Sequence, residues 1–307
     1  MKPMNEELAK IMDQRQMTAA YRQMMQAAVA DADVQRFLQA NQAQLAPDAV
    51  TRGAAKIYEF VTARDRLKAG DPLIAPGYEP QLVVSNGLID IDYVATPEKL
   101  AADAQAAQAR LITALNMPKA IKTASLETYD PRYRSDALSA ALDFTMGMAK
   151  APNEFHKGLY LTGPFGVGKT FLLGAIANDL AEQGIASTLL HYPTFAVEMK
   201  QAITDNSVLA KVDRIKKAKV LMIDDIGAEA WSAWVRDEVL GIILQYRMQE
   251  ELPTLFTSNK NMQELAAFLS GSETGKADEP VKAQRIMERV RFLATEINVA
   301  GPDRRNG

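Results

Sequence analysis

Eight residues near the middle of the chain, GPFGVGKT at 163–170, have the spacing G-x-x-x-x-G-K-[ST] and lie between an apolar run and a helical pattern. In this pattern the glycines let backbone N–H groups curl around a polyphosphate, and the dipole of the following helix favours negative charge. Lys169 would neutralise the β and γ oxygens, and Thr170 would offer a hydroxyl to Mg²⁺. The stretch predicts a site for ATP or ADP rather than a glycine-rich turn with a chance lysine. The expected nucleotide-binding residues are Gly163, Pro164, Phe165, Gly166, Val167, Gly168, Lys169, Thr170 and Phe171.

Two carboxylates follow a strongly apolar run, VLMI at 220–223, which is typical of a Walker B strand. Both emerge at the carboxyl end of that strand, beside the lysine loop, where they can serve a bound nucleotide. We expect Asp224, together with Thr170, to hold Mg²⁺, and Asp225 to orient and deprotonate the attacking water. The alternative is that one or both carboxylates only cap the next turn.

Two further segments carry weaker signals. Asn259 follows the strand-like run 254–257 and could reach the γ-phosphate or its water, although Ser-Asn after a strand is also ordinary turn chemistry. Arg285 and Arg289 lie four residues apart on one face of a predicted helix. An arginine that reaches a neighbour's γ-phosphate accelerates hydrolysis by several powers of ten, but periodicity alone also fits a surface helix with Glu–Arg pairs.

The elements that must position these residues can be read from the sequence pattern. From about residue 134 short apolar runs alternate with helical segments, which predicts an α/β fold with a mainly parallel sheet covered on both faces. Residues 5–61 have the pattern of several helices. Two β-like runs, Gln81–Val84 and Leu88–Tyr93, flank an Asn-Gly pair that favours a type I′ hairpin turn. A further helix is predicted at about 98–115.

Composition excludes several classes of protein. The 307 residues are 48% hydrophobic and 24% charged, as in a soluble globular protein of one or two domains. There is no cysteine, which rules out disulfides, a thiolate nucleophile and cysteine-based zinc or iron–sulfur sites. The net charge of −3 is not that of a strongly basic nucleic-acid-binding domain. No apolar stretch is long enough to span a bilayer and no signal peptide is visible, so we expect a cytoplasmic protein without membrane contact.

Three blocks, at 158–171, 220–229 and 234–238, together resemble the DnaC/DnaI family of bacterial replicative-helicase loaders, a branch of the AAA+ ATPases. The resemblance extends over nearly the whole chain. It implies an AAA+ core whose five-stranded parallel sheet has the order 5-1-4-3-2, preceded by a mostly helical N-terminal domain with a small β-hairpin. It also implies that the protein self-associates on a hexameric DNA helicase.

The resemblance implies roles for individual residues. Asp224 and Asp225 match the Walker B pair, with Asp225 at a position where AAA+ proteins more often have glutamate. Asn259 matches sensor 1. Arg289 matches the arginine finger that one subunit supplies to its neighbour, and sensor 2 is expected at Arg304 or Arg305.

The implied domains are a helicase-binding domain at 1–115, a linker at 116–130 and an AAA+ ATPase domain at 131–307. Relatives in this family carry a cysteine-rich zinc site in the first domain, whereas residues 64–97 contain neither Cys nor His. We therefore predict no zinc. Stability of this region is expected to come from packing of aromatic and aliphatic side chains, namely Tyr58, Phe60, Tyr78, Leu82 and Tyr93.

Single-stranded DNA is the other implied partner, through the AAA+ domain. Aromatic and basic side chains that could track a single strand follow the second strand of the core, namely Tyr192, Phe195, Lys200, Lys211, Arg214, Lys216 and Lys217. The alternative is that the aromatic residues are core and the cations complement helix ends.

The sequence thus favours an ATP-dependent loader that places a replicative helicase on single-stranded DNA during initiation of replication. One alternative is an IstB-like transposition ATPase acting on duplex DNA, which shares the same core. Another is a nucleotide-binding adaptor that never hydrolyses. The neutral charge of residues 1–125 argues against the first alternative, and the intact set of motif residues argues against the second.

Overall fold

The computed structural model describes residues 20–71, 75–230, 232–271 and 279–304. The chain divides into two compact units, Met1–Gln105 and Ala106–Gly307. The part of the predicted N-terminal helices at 5–19 lies outside the described residues. Among the helices that are described, none is long and apolar enough to cross a membrane.

The first unit consists of helices and one antiparallel hairpin. Its strands β1 and β2 pair from Tyr78↔Ala95 to Ser85↔Leu88. Asn86 and Gly87 between them have positive φ angles of 50° and 75°, which a type I′ turn requires, so the predicted hairpin is confirmed. The elements are α1 (20–29), α2 (Ala32–Ala40), α3 (Ala49–Lys68), β1 (Tyr78–Ser85), β2 (Leu88–Ala95) and α4 (Pro97–Arg110), which continues past the division between the units.

The hairpin packs on α3 through a close backbone approach at Gly53. A Cβ atom at this position would lie 2.8 Å from Cβ of Ile89, so only glycine fits without a shift. Of the residues expected to stabilise this region, Phe60 and Leu82 are in the core and Tyr58 packs against it. Tyr78 is half-buried, whereas Tyr93 is exposed and donates its hydroxyl to Glu59 at 3.3 Å. The expectation was therefore wrong for Tyr93, which lies on the same face of β2 as Ile89 but beyond the core, where its hydroxyl contacts the exposed Glu59 of α3.

The second unit is built on six parallel strands in the order β3-β5-β6-β7-β4-β8. A π-helix (Val235–Leu240) leads directly into α9. The other elements are β3 (Ile112–Leu115), α5 (Ser135–Lys150), β4 (Gly158–Thr162), α6 (Lys169–Glu182), β5 (Ser187–His191), α7 (Tyr192–Ala202), α8 (Val208–Lys216), β6 (Val220–Asp224), α9 (Gly241–Gln249), β7 (Thr254–Ser258), α10 (Met262–Ser270), α11 (Pro280–Leu293) and β8 (Ala294–Asn298).

The expected strand order 5-1-4-3-2 is present as β8-β4-β7-β6-β5, and β3 adds a sixth strand at the edge. The prediction of a helix at about 98–115 was wrong at its end, since α4 ends at Arg110. The following residues pair with β5 from Ile112↔Ser187 to Leu115↔Leu190. Two β-branched residues open this run, which favours a strand over a continued helix.

The strands of the second unit are apolar throughout because both faces of the sheet are covered. Along β6, Val220 and Met222 pack towards α5 and α6, whereas Leu221 and Ile223 pack towards α9 and α11. The segment at 116–130 contributes to the same unit. Its buried side chains, which join the cluster around α6, are Ile121, Ala124, Leu126 and Tyr129.

Candidate functional site

The glycine-rich loop connects the end of β4 to the start of α6 at Lys169. Gly166 and Gly168 have φ angles of 75° and 94°, which L side chains rarely adopt. Gly168 is the N-cap of α6 and supplies no side chain to cap it, so the N–H groups of the first turn point into the loop. A helix start of this kind favours an anion.

The Lys169 ammonium is buried and already hydrogen-bonded within the loop. Its Nζ donates to the backbone oxygens of Gly163 and Pro164 and to Oδ1 of Asn259, each at 2.7 Å. The Asn259 amide in turn donates to Oδ1 of Asp225 at 3.1 Å. Three residues that the sequence analysis predicted for one site are thus joined in one network.

The Asp224 carboxylate lies next to the Thr170 hydroxyl. Thr170 Oγ1 donates to Asp224 at 2.9 Å and Thr257 Oγ1 donates to it at 2.6 Å. Burial raises the pKa of Asp224, and the bonds from Thr257 and Thr170 oppose the shift. These bonds show that the two oxygen groups predicted for the metal meet at the carboxyl end of β6.

The pair fits a Mg²⁺ ion that is shared with a nucleotide. Mg²⁺ usually takes one or two protein oxygens and completes its octahedral shell with phosphate and water. Among the described residues there is no group of three or more His, Asp or Glu side chains that could enclose a metal alone. The donor set of Thr170 and Asp224 therefore suits Mg²⁺ only together with a phosphate ligand.

Asp225 has left-handed backbone geometry, with φ of 61°. Its N–H donates to Thr257 Oγ1 at 2.8 Å, which fixes the start of the loop after β6. His191 Nε2 lies 4.0 Å from Asp225 Oδ2, and the other ring nitrogen contacts Thr194 Oγ1 at 2.8 Å. The carboxylate of Asp225 therefore lies between the Asn259 amide and an imidazole.

These groups border a single cavity of about 680 Å³, a volume in the range of ordinary small-molecule sites. One part of the wall is polar and another is apolar. Lining residues include Phe165, Gly166, Gly168, Lys169, Thr170, Phe171, Asp224, Asp225 and Asn259 from the predicted set, with Pro118, Ile121, His191, Thr257 and Arg304 in addition. Gly163 and Pro164 face Lys169 through their carbonyl groups, and Val167 is buried beneath the loop.

Sequence reasoning missed His191 as a site residue, although a signal was available. His191 ends β5 and is in register with Asp224 on the neighbouring strand. Polar residues at the carboxyl ends of parallel strands share one edge of the sheet. The same rule that selected Asp224 would have selected His191.

The C-terminal segment closes over the glycine-rich loop. The backbone N–H of Arg304 donates to the Gly166 oxygen at 3.1 Å, and its guanidinium pairs with Asp130. Beneath the segment, buried Arg134 donates to the Val167 oxygen at 2.6 Å. Of the two residues considered for sensor 2, Arg304 lines the cavity and Arg305 lies outside the described residues.

Arg289 does not line the cavity of its own chain. Its Nη1 donates to the backbone oxygen of Gly241 at 2.8 Å, at the junction between the π-helix and α9. Burial lowers the pKa of Arg289, and neighbouring Arg285 adds to the effect. The side chain is therefore half-buried and held against the π-helix in the single chain.

The groups considered for DNA contact separate into two sets. Tyr192 and Phe195 are core residues, so the alternative interpretation was correct for them. The cations Lys200, Lys211 and Arg214 are exposed. Two others, Lys216 and Lys217, pair with Asp213 at 3.0 and 2.7 Å.

Comparison with known proteins assigns the chain to a family. Residues 1–93 match the family described as Primosomal protein DnaI N-terminus, and residues 90–301 match the family described as IstB-like ATP binding protein. The chain is 35% identical over 313 residues to the replicative helicase loader DnaI of Bacillus subtilis, with the whole of both chains covered. The chain belongs to the DnaI family of replicative helicase loaders.

Solved structures agree with this family. A crystal structure titled as that of the DnaI is 46% identical to the chain, with a TM-score of 0.56, and covers 64% of this chain and 99% of its own. A putative primosome component from Streptococcus pyogenes is 43% identical, with a TM-score of 0.54, over 66% of this chain and 99% of its own. The expected AAA+ class, with its parallel sheet and ATP-binding family, is thereby confirmed. The roles of individual DnaI-family site residues remain predictions.

Proposed function

We propose that this chain is an ATP-hydrolysing loader that delivers a hexameric replicative helicase to single-stranded DNA. The observation that carries the ATPase part is the continuous network around the cavity. Lys169, Asn259 and Asp225 are linked by hydrogen bonds, and the Thr170–Asp224 pair lines the same space. A turn with a chance lysine would not bring together both Walker motifs and sensor 1.

Bound ATP supplies a phosphoanhydride whose terminal phosphoryl group water can attack. Lys169 would exchange its loop carbonyl acceptors for phosphate oxygens, and backbone N–H groups in the first turn of α6 would donate to the remaining phosphate oxygens. Asp224 and Thr170 would hold Mg²⁺, which would neutralise charge on the phosphates. Asp225 orients the attacking water and takes its proton, and Asn259 keeps the Asp225 carboxylate turned towards the cavity.

The loader part of the proposal rests on the N-terminal match. A family described as the DnaI N-terminus covers residues 1–93, and the full-length relative is named as a replicative helicase loader. We assign helicase binding to the first unit, Met1–Gln105, and ATP hydrolysis to the second unit, Ala106–Gly307, which includes β3 and the segment 116–130. Self-association on the helicase places Arg289 of one subunit at the nucleotide of the next. Exposed Lys200, Lys211 and Arg214 are assigned to the single strand.

Native mass measurement with the helicase of the same organism tests the loader. We expect a discrete complex of one helicase hexamer with several copies of the chain, formed with ATP and altered with ADP. Lys169→Ala should still bind the helicase but lose ATP affinity. Normal ATP affinity in that variant would contradict the phosphate-binding role of the loop.

The match to the IstB-like family over residues 90–301 supports a second candidate function, that of a transposition ATPase. A transposition ATPase of that kind would bind duplex DNA and form no helicase complex in either nucleotide state. Fluorescence anisotropy with single-stranded and duplex oligonucleotides separates the two functions. We expect preference for the single strand, strongest in the presence of ATP.

A further inference from the structure

Glu229 is a carboxylate near the site that ends the block at 220–229 and for which no role has been predicted. It lies four residues after Asp225, in the loop between β6 and the π-helix. Its Oε2 accepts the backbone N–H of Gly227 at 2.8 Å. On its other side it borders a cavity of about 10 Å³ together with Tyr192, Val235 and Phe268. That space holds one water at most, so the carboxylate faces packed protein rather than a ligand.

The loop that carries Asp225 has an unusual backbone. Asp225 and Gly227 both have left-handed φ angles, 61° and 88°, on either side of Ile226. Left-handed geometry is uncommon for residues other than glycine, although aspartate tolerates it better than most, and hydrogen bonds from β7 hold Asp225 in this conformation. These two left-handed residues, separated only by Ile226, turn the chain sharply next to the Asp225 carboxylate.

The first half of this loop is fixed by β7. Thr257 accepts the Asp225 N–H through Oγ1 and the Ile226 N–H through its backbone oxygen, at 2.8 and 3.0 Å. Ser258 Oγ donates to the Ile226 oxygen at 2.6 Å. The second half, from Gly227 onwards, turns away from β7, and there the Glu229 carboxylate is the acceptor for the Gly227 N–H.

We propose that Glu229 is a positioning residue whose carboxylate fixes the second half of this loop and thereby aims Asp225 at the attacking water. The proposal rests on the proposed role of Asp225 in hydrolysis. Glu229 acts through the backbone: it holds Gly227, Gly227 defines the turn, and the turn sets the direction of the Asp225 side chain between Asn259 and His191.

The electrostatics of the loop agree with this role. Burial and, to a smaller extent, the negative charge of Asp225 raise the pKa of Glu229 to about 7, against the opposing effect of the N–H groups of residues 227–229. Tyr192, fully buried beside it, stays neutral because burial raises the pKa of its hydroxyl well above the ordinary value. The fold thus retains a half-buried carboxylate whose hydrogen-bond partner is the backbone N–H of Gly227.

Glu229→Gln and Glu229→Ala in the full-length chain test the proposal. The amide of the first variant keeps the shape and one acceptor oxygen, whereas the second removes the contact. We expect kcat for ATP hydrolysis to fall about tenfold in Glu229→Gln and about a hundredfold in Glu229→Ala, as misaimed catalytic groups typically cause. The Kd for ATP and the helicase complex should be retained, because Lys169 and the glycine-rich loop are untouched.

Glu296→Gln is the matched control. Glu296 lies on β8, and its carboxylate also accepts a backbone N–H, that of Met262 at 3.2 Å, but this contact joins β8 to the start of α10 and not to the Asp225 loop. We expect an unchanged kcat. If Glu229→Ala lowered only the melting temperature and kept the wild-type kcat, the residue would be merely structural and the proposal would be overturned. If that variant failed to fold, the kcat of Glu229→Gln would decide in the same way.

Asp225→Asn separates this inference from the function on which it rests. Asparagine tolerates left-handed backbone geometry, so the variant should fold and bind ATP but hydrolyse it at least a hundredfold more slowly. Full hydrolysis by Asp225→Asn would overturn the proposed role of Asp225 itself. Loss of hydrolysis there, together with wild-type kcat in both Glu229 variants, would overturn only the role of Glu229.

Discussion

Because the pKa of Glu229 is raised to about 7, the free energy of unfolding should depend on pH near neutrality. The folded chain holds the proton up to about pH 7, whereas the unfolded chain releases it near the ordinary value of 4.5. Unfolding therefore releases a proton between these values, and the contribution of Glu229 to the free energy of unfolding falls as pH rises through this window.

We expect Glu229→Gln to remove this dependence. Between about pH 5 and about pH 7 the free energy of unfolding of the variant should change less with pH than that of the parent. Urea unfolding followed by circular dichroism at several pH values measures both slopes, with Glu296→Gln as the control that keeps the parental slope. Parallel slopes for the parent and Glu229→Gln would contradict the raised pKa.

The residues of the site differ in how far the sequence could predict them. Lys169 and Thr170 lie in a short motif whose spacing is itself the evidence, and Asp224 ends an apolar strand. Thr257, which donates to the Asp224 carboxylate and accepts the backbone N–H of Asp225, lies inside a buried strand and looks like any β-branched core residue. Arg304 is more than a hundred residues from Gly166 in the sequence, and no local sequence pattern predicts the hydrogen bond between them.

Arg247 connects the ends of several elements at the base of the sheet. Its side chain is fully buried and donates to the backbone oxygens of Lys216 and Ala218 at 3.0 and 2.6 Å. It also donates to Pro253 and Thr254, at the start of β7. The guanidinium thus joins the end of α8 to the strands that carry Asp224 and Asn259.

Arg247→Met should destabilise the second unit by about 3 kcal/mol or more, because several buried carbonyls lose their donor. Arg285→Met, at an exposed position on α11, is the matched control and should change stability by less than about 0.5 kcal/mol. Chemical denaturation of both variants measures the difference. Equal stabilities would mean that solvent or rearranged backbone groups satisfy these acceptors.

Helix α11 carries Arg289 away from its own cavity and against Gly241. If this arginine serves the neighbouring subunit, Arg289→Ala should leave ATP binding by the single chain unchanged and lower hydrolysis in the assembly by about a thousandfold. Mixing Arg289→Ala with Asp225→Asn subunits should restore part of the activity, since some interfaces then combine one intact finger with one intact Walker B pair. No recovery in the mixture would contradict action between subunits; Arg285→Ala is the control.

At the scale of elements, the alternation of strands and helices predicted the α/β class and five strands of the sheet. It did not predict β3, because the four residues Ile112–Leu115 follow an Ala- and Gln-rich helix without a proline or glycine between them. Nor did it predict the π-helix. Its sequence, VRDEVL, is compatible with an ordinary helix, and the bond from its buried Arg236 to the Leu269 oxygen joins it to α10, a contact that no local pattern predicts.

The two units of the chain offer a test of the division of function. Gly53→Val places a branched side chain where even a Cβ would meet Ile89, and should destabilise the first unit by about 1–3 kcal/mol or more. We expect the helicase complex to weaken while ATP hydrolysis by the second unit stays within about twofold of the parent. Ala55→Val, on the exposed face of the same helix, is the control. Equal loss of both activities would contradict separate roles for the units.

The packing of the hairpin on α3 stabilises the first unit without any cysteine-bound metal, which allows chelators to be used in experiments on the protein. Ile57, Phe60, Leu82 and Ile89 close this region with aliphatic and aromatic contacts, in a chain without a single cysteine. A chelator would therefore withdraw the Mg²⁺ proposed for the second unit without extracting a structural metal from a cysteine cluster in the first. Hydrolysis could be stopped with a chelator and restarted with magnesium on the same helicase-bound molecules, so that binding and turnover can be timed separately, under oxidising or reducing conditions alike.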